Sequence, residues 1–139
     1  MANNTATYAM KAPKVTLKPL AADLFSDVAE QAAQACIDQN RNKPAQLRRF
    51  YDELVMWHDK VFALQTVTAQ QAKFEELLPF IKMLRAKAAY AAGRKLINET
   101  FKNLFDDVIR QVQGLEELRN AKLFFEAFLG YMKYYDQSK

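Results

Sequence analysis

The sequence predicts an all-α fold, a compact five-helix bundle preceded by a flexible basic arm. The 139 residues fit one domain, and half of them are hydrophobic, which is enough apolar material for a core. Three glycines and four prolines are too few for the many turns of a β-sandwich or barrel. Apolar residues also recur every three or four positions along most of the chain, which is the spacing of amphipathic helices.

The N-terminal segment lacks this apolar spacing. It contains three lysines, Lys11, Lys14 and Lys18, and no acidic residue. We therefore predict a disordered basic arm over residues 1–18 and a single helical-bundle domain over residues 19–139.

Prolines mark the beginnings of the first two predicted helices. The first helix is expected at about residues 20–39, directly after Pro19. A turn leads to Pro44, and proline suits the first turn of the second helix, at about residues 44–64. The second helix carries a broad apolar face, which is typical of a helix packed between two neighbours.

The third predicted helix begins at a cap, for which Thr66 and Thr68 are both suitable. Pro79 interrupts the apolar pattern, so we expect a kink or a break there. Gly93 marks the end of this helix or a weak point in it.

The fourth helix is expected at about residues 97–112, closed by Gly114, and the fifth at about residues 115–135. The fifth helix is rich in aromatic residues: Phe124, Phe125, Phe128, Tyr131, Tyr134 and Tyr135. A base-stacking platform is one interpretation, but the helical spacing favours core packing. We expect Tyr134 alone to be exposed.

The sequence offers little for catalysis or metal binding. His58 and Cys36 are the single histidine and the single cysteine, so a His/Cys zinc cluster cannot form. A nucleophile elbow and a glycine-rich phosphate loop are both absent. An enzyme that uses His58 with Asp59 or Asp106 is the weakest hypothesis, because this histidine lies on the apolar side of its helix. We expect a protein that is not an enzyme and holds no metal or cofactor.

The same counts bear on the compartment. One cysteine cannot form an intramolecular disulfide, and no window approaches the roughly 18 apolar residues of a membrane span. The first residues lack the basic and apolar regions of a signal peptide. We expect a cytoplasmic protein without membrane contact.

The charge is segregated, although the net charge is only +4. Residues 77–98 contain no acid, and a second basic cluster lies at residues 41–49. The cations of the acid-free stretch are Lys82, Arg85, Lys87, Arg94 and Lys95. A basic face on a bundle without catalytic groups favours a polyanionic partner such as nucleic-acid backbone.

An ordinary solvated surface is the alternative interpretation of the second cluster. Arg48 can pair with Asp52 across one helical turn. Arg49 can pair with Glu53 in the same way.

The acid-free stretch also has an alternative. Lys87 or Arg94 could pair with Glu126, the acid nearest the core-facing side of the fifth helix. Charge alone therefore leaves nucleic acid and an acidic protein open as partners.

Three strings carry a more specific signal. The first is Gln-Leu-Arg-Arg-Phe-Tyr at 46–51. The second and most distinctive is Leu-Pro-Phe-Ile-Lys-Met-Leu-Arg-Ala-Lys-Ala-Ala-Tyr-Ala-Ala-Gly-Arg at 78–94. The third is Phe-Phe-Glu-Ala-Phe at 124–128, followed by Tyr-Met-Lys-Tyr-Tyr at 131–135. In order and spacing, over about residues 44–135, they resemble the small helical subunit of type III-A CRISPR effector complexes, the Csm complexes.

The resemblance implies a non-catalytic subunit of an antiviral ribonucleoprotein, present in several copies that stack with one another. Such subunits contact the backbone of crRNA and target RNA without reading sequence. Their other partners are the backbone subunits and the large polymerase-like subunit, to which cleavage belongs. The alternative is an interaction adaptor whose basic face docks an acidic partner and never meets RNA.

The family's basic motif positions map onto Arg48, Lys87 and Arg94 of this sequence. With the charges nearby, the expected RNA-binding residues are Arg48, Arg49, Lys82, Arg85, Lys87, Arg94 and Lys95. If the second and third helices lie side by side, Arg48 and the five cations of the acid-free stretch are expected to merge into one stripe.

Overall fold

The structure is a computed structural model that describes residues 11–136. Over that range it contains a π-helical turn, six α-helices and no strand, which confirms the all-α prediction. The elements are the π-helical turn Leu24–Val28, α1 Ala29–Cys36, α2 Pro44–Phe62, α3 Val67–Lys82, α4 Leu84–Gly93, α5 Glu99–Arg110 and α6 Leu115–Tyr135. Among these residues no helix has the length and apolar character needed to cross a bilayer.

Phenylalanines form the centre of the core. Phe124, Phe125 and Phe128 of α6 are all buried. Phe105 of α5 lies between Phe125 and Phe50 of α2, with ring centroids 5.3 and 5.2 Å away. Tilted ring pairs at these distances add to the stabilisation that burial provides. The aromatic residues of the fifth predicted helix are therefore mainly core residues, as their spacing predicted.

Side-chain caps set the beginnings of two helices. Thr66 Oγ1 accepts a hydrogen bond from the Ala69 N–H at 3.1 Å, so Thr66 is the cap of α3. Asn98 Oδ1 accepts one from the Phe101 N–H at 2.9 Å. This cap starts α5 at Glu99, slightly later than the predicted residue 97.

The third predicted helix is divided in two, but not at Pro79, where a kink or break was expected, because α3 continues through Pro79 to Lys82. The division lies at Met83, whose N–H donates to the Pro79 carbonyl at 3.0 Å, and α4 begins at the next residue. Gly93 is the last residue of α4. α4 packs against α5 and α2.

Two predicted helix ends are wrong. The first helix was expected from residue 20, but Leu20 is exposed and helical structure begins at Leu24, after a turn closed by the hydrogen bond from its N–H to the Ala21 carbonyl. Gly114 was expected to close the fourth helix, which instead ends at Arg110. Gly114 precedes the first residue of α6.

The described part of the N-terminal segment corrects the predicted arm. Val15 and Leu17 are buried. Their backbone is hydrogen-bonded to the side chains of Gln111, directly after α5, and Asn120, within α6. Gln111 donates to the Val15 carbonyl at 2.7 Å and accepts from the Leu17 N–H at 2.9 Å. Asn120 donates to the Leu17 carbonyl at 2.9 Å. Disorder up to residue 18 is therefore wrong at residues 15–17, because these bonds and two core side chains fix the chain.

The predicted disorder of residues 1–10 is not tested by the structure. Residues 1–10 lie outside the described residues. Disorder there stays a prediction.

Candidate nucleic-acid interface

A groove between α2 and α4 collects three of the seven predicted RNA-binding residues. It has a volume of about 520 Å³, and Arg49, Lys87 and Arg94 line it. Ala91, buried at the core side of the groove, lies between Lys87 and Arg94 in the sequence, and both of these cations are exposed beside it. The second and third predicted helices therefore pack against each other, but only these three of the predicted RNA-binding residues line the groove between them.

The groove holds one carboxylate, that of Glu53. Its oxygens accept hydrogen bonds from Lys87 Nζ at 2.9 and 3.0 Å. Arg49 and Arg94 have no carboxylate partner among residues 11–136. The suggested pair of Arg49 with Glu53 is therefore wrong, because Glu53 binds Lys87. The suggested pair of Lys87 with Glu126 is also wrong, because Glu126 binds Lys122 of its own helix.

Lys95 follows Arg94 directly but does not itself line the groove. It is exposed and adopts a left-handed backbone conformation, with φ 65°. Its N–H donates to the Ala92 carbonyl at 3.0 Å, and the Leu96 N–H donates to the Ala91 carbonyl at 2.9 Å. These bonds end α4 in a reversal of the chain typical of helix C-termini. The reversal places two consecutive cations, Arg94 and Lys95, at the end of the helix.

Lys82 has a structural role, as a hydrogen-bond donor to the end of α5. Its Nζ donates to the carbonyls of Ile109 and Arg110 at 2.9 and 2.7 Å. These carbonyls lie at the C-terminal end of α5, where the last carbonyls lack partners within the helix. The Ile109 carbonyl also accepts from the Val112 N–H at 3.1 Å. Burial lowers the pKa of the Lys82 ammonium, and the positive charges of Arg85 and Arg110 lower it further.

Arg85 is also bound to α5. Its Nε donates to Asp106 Oδ1 at 2.7 Å, and Arg110 Nε donates to the other oxygen at 2.9 Å. Partial burial alone would raise the pKa of Asp106, but the hydrogen bonds and charges of the two arginines hold it below its usual value. The expected single stripe of six cations is therefore wrong, because Arg85 and Lys82 bind α5 and do not line the groove.

Arg48 lines a second groove, of about 460 Å³, with Lys122 and Lys133 of α6. Its guanidinium lies 3.8 Å from Asp52, so the suggested pair within this helix is confirmed. Successive residues of a helix point about 100° apart, and Arg48 and Arg49 accordingly line different grooves. Lys122 and Lys133 were not predicted as RNA-binding residues, although their separation of eleven residues, three helical turns, places them on one face of a helix.

His58 has the contacts of a packed residue at the rim of the core. Its ring centre lies 4.6 Å from that of Phe62, and Nδ1 is 2.9 Å from Asp59 Oδ1. Asp106, the other carboxylate considered for catalysis, is bound by two arginines. Burial raises the pKa of Cys36 to about 12, so this thiol is protonated at neutral pH and a poor nucleophile. No group of three or more potential metal ligands is present among residues 11–136.

These features describe a small, basic, all-helical domain with cationic grooves, the class of a binding or structural subunit. The family model for Csm2 Type III-A matches residues 19–138. Since the match covers most of the chain, the chain belongs to this family, the small non-catalytic structural subunit of type III-A CRISPR effector complexes. No curated protein and no solved structure gives a significant match.

Proposed function

We propose that this subunit binds the backbone of crRNA and target RNA through the α2–α4 groove, without reading base sequence. Arg49, Lys87, Arg94 and Lys95 supply the positive charge. The observation that carries the proposal is that cations from two helices line one open groove with a single carboxylate. Lys82 and Arg85 are not part of this proposed surface.

Guanidinium and ammonium groups suit phosphate oxygens, which repeat along RNA whatever its sequence. Each phosphate that they neutralise releases counterions, so the affinity should fall steeply with salt. The pair between Lys87 and Glu53 does not close the groove, because a partly exposed ion pair contributes little free energy. A phosphate can replace the carboxylate as the partner of Lys87.

Subunit contacts complete the proposal. We propose that the chain stacks with copies of itself and contacts the backbone subunits and the large polymerase-like subunit. Phe80, near the end of α3, is exposed and stacks on Trp57 of α2 at 5.6 Å. An exposed apolar ring packed on a second aromatic ring outside the α2–α4 groove supports a role as a protein contact.

The experiment is co-expression of the chain with the other type III-A subunits and a crRNA, followed by purification of the complex. The groove variant carries Arg49→Ala, Lys87→Ala and Arg94→Ala. The matched control loses the same charge away from both grooves, by Lys14→Ala, Lys60→Ala and Lys102→Ala. We expect the wild type and the control to purify with crRNA at equal levels, and the groove variant at a clearly lower level.

Two results together would contradict the proposal. One is undiminished incorporation of the groove variant into complexes that contain crRNA. The other is a lack of salt-dependent RNA affinity in the wild-type chain. The adaptor with an acidic protein partner would then be the better account.

A further inference from the structure

Tyr90 is exposed over 66% of its surface although it lines the α2–α4 groove. No other aromatic ring among residues 11–136 packs against it, in contrast to the ring clusters of the core. Its hydroxyl has one long contact, 3.5 Å from Arg94 Nη1. The ring therefore contributes little to the core and is open to a ligand.

Cations flank this ring along the helix axis. Lys87 lies three residues before Tyr90 and Arg94 four residues after it, offsets of about 4.5 and 6 Å along the axis. The Arg94 guanidinium carbon is 5.8 Å from the ring centre, within the range of a cation–π contact. An aromatic ring between phosphate-binding cations is the arrangement that single-stranded nucleic-acid binding proteins use.

Exposure alone does not single out Tyr90. Tyr134 is 73% exposed, which confirms the prediction made for it. The pocket beside Tyr134 is lined by Glu30 and by no lysine or arginine, and its ring packs edge-on against Tyr135 at 4.9 Å. A phosphate there would meet a carboxylate. The charge around the two tyrosines therefore favours Tyr90 as an RNA contact.

We infer that Tyr90 stacks on an unpaired RNA base while Lys87 and Arg94 bind phosphates on either side of it. This inference rests on the proposed function and adds the form of RNA that the groove takes, single-stranded in preference to duplex. Inside a duplex, neighbouring pairs cover both faces of each base, whereas an unpaired base can be splayed onto a side chain. Every base has such a face, so the stacking adds affinity without reading sequence.

The test uses the full chain and a short single-stranded RNA that carries one 2-aminopurine, whose fluorescence reports stacking. Tyr90→Leu removes the aromatic face, Tyr90→Phe restores it, and Tyr134→Leu is the control at a similarly exposed tyrosine. We expect Tyr90→Leu to bind about five- to tenfold more weakly and to lose the fluorescence change. Tyr90→Phe and Tyr134→Leu should match the wild type. The wild type should prefer the single strand to the same strand annealed to its complement.

Undiminished affinity and fluorescence change in Tyr90→Leu would overturn the inference and leave the proposed function standing, because RNA binding would persist. If the wild type bound the single strand and the duplex with equal affinity, this would also overturn the inference and leave the proposed function standing. A wild-type chain that binds an acidic peptide but neither form of RNA would overturn both. Far-ultraviolet circular dichroism of each variant shows that it is folded, and the exposed position of Tyr90 predicts no change in helicity.

Discussion

The five cations between residues 77 and 98 form one basic run in the sequence, but the fold uses them in two ways. Lys82 and Arg85 donate hydrogen bonds to α5, whereas Lys87, Arg94 and Lys95 lie at the open groove or its end. Arg85 and Lys87 are only two residues apart, which is about 200° around a helix, so they face different neighbours. The face of the helix that carries a charge therefore decides its role, and proximity in the sequence does not.

This division has an energetic consequence. Bound cations satisfy carbonyl and carboxylate groups that would otherwise be partly buried without partners, so their loss should lower the stability. Open cations are solvated and should contribute little to stability and more to binding. Variants of the two sets should therefore separate cleanly in two measurements, unfolding and RNA affinity.

The largest expected effect on stability is that of Lys82→Met. This change keeps the aliphatic stem but removes the donor of the Arg110 carbonyl and one of the two donors of the Ile109 carbonyl, which keeps its hydrogen bond from the Val112 N–H. We expect the free energy of unfolding in urea to fall by about 1–3 kcal/mol. The matched variant Lys87→Met should change it by less than about 0.5 kcal/mol. A loss from Lys87→Met as large as that from Lys82→Met would remove the distinction between the two sets.

Asp106→Asn tests the other bound cation, Arg85, and has a pH signature. Because the pKa of Asp106 is lowered in the folded state, its stabilisation is fully present above the ordinary Asp pKa of about 3.9 and is lost as the pH falls through the lower folded value. We expect Asp106→Asn to lower the stability by about 1 kcal/mol at pH 7, a figure kept small because solvent reaches the arginines. The difference from the wild type should shrink below about pH 4. An equal difference at both pH values would contradict the ion-pair account.

Local patterns predicted much of this fold. The all-α class and a threonine cap, at Thr66 of the two candidates, depend on a few neighbouring residues, and the structure confirms them. The break of the third predicted helix is present, but at Met83 and not at Pro79. The core aromatic residues of α6 followed from helical periodicity alone.

The pairing of charges could not be predicted in this way. Glu53 pairs with Lys87, which lies 34 residues away in the sequence, and this pairing depends on how α2 packs against α4. Val15 and Leu17 show the same limit. Two alternating apolar residues give no helical signal, and Gln111, which holds their backbone, is more than 90 residues further along the chain.

The smallest expected effect is that of Glu53→Gln, which acts on the one open cation that has a partner. Without the carboxylate, Lys87 is free for phosphate, so RNA affinity should rise about two- to threefold at constant salt. Asp52→Asn removes an equal charge one residue away, from the partner of Arg48 in the second groove, and should raise the affinity less. Fluorescence anisotropy with a labelled RNA measures both. A fall in affinity for Glu53→Gln would mean that Glu53 orients Lys87 for binding.

The measurement that tests the central claim most directly is the salt dependence of RNA affinity for the groove variant Arg49→Ala/Lys87→Ala/Arg94→Ala. The wild type, this variant and the matched control with Lys14, Lys60 and Lys102 replaced by Ala should be compared on two unrelated RNA sequences. If all three groove cations bind phosphates, the slope of log K against log salt becomes shallower by about two to three, equally for both sequences, with helicity unchanged. An unchanged slope, or a loss confined to one RNA sequence, would contradict a groove that binds the RNA backbone.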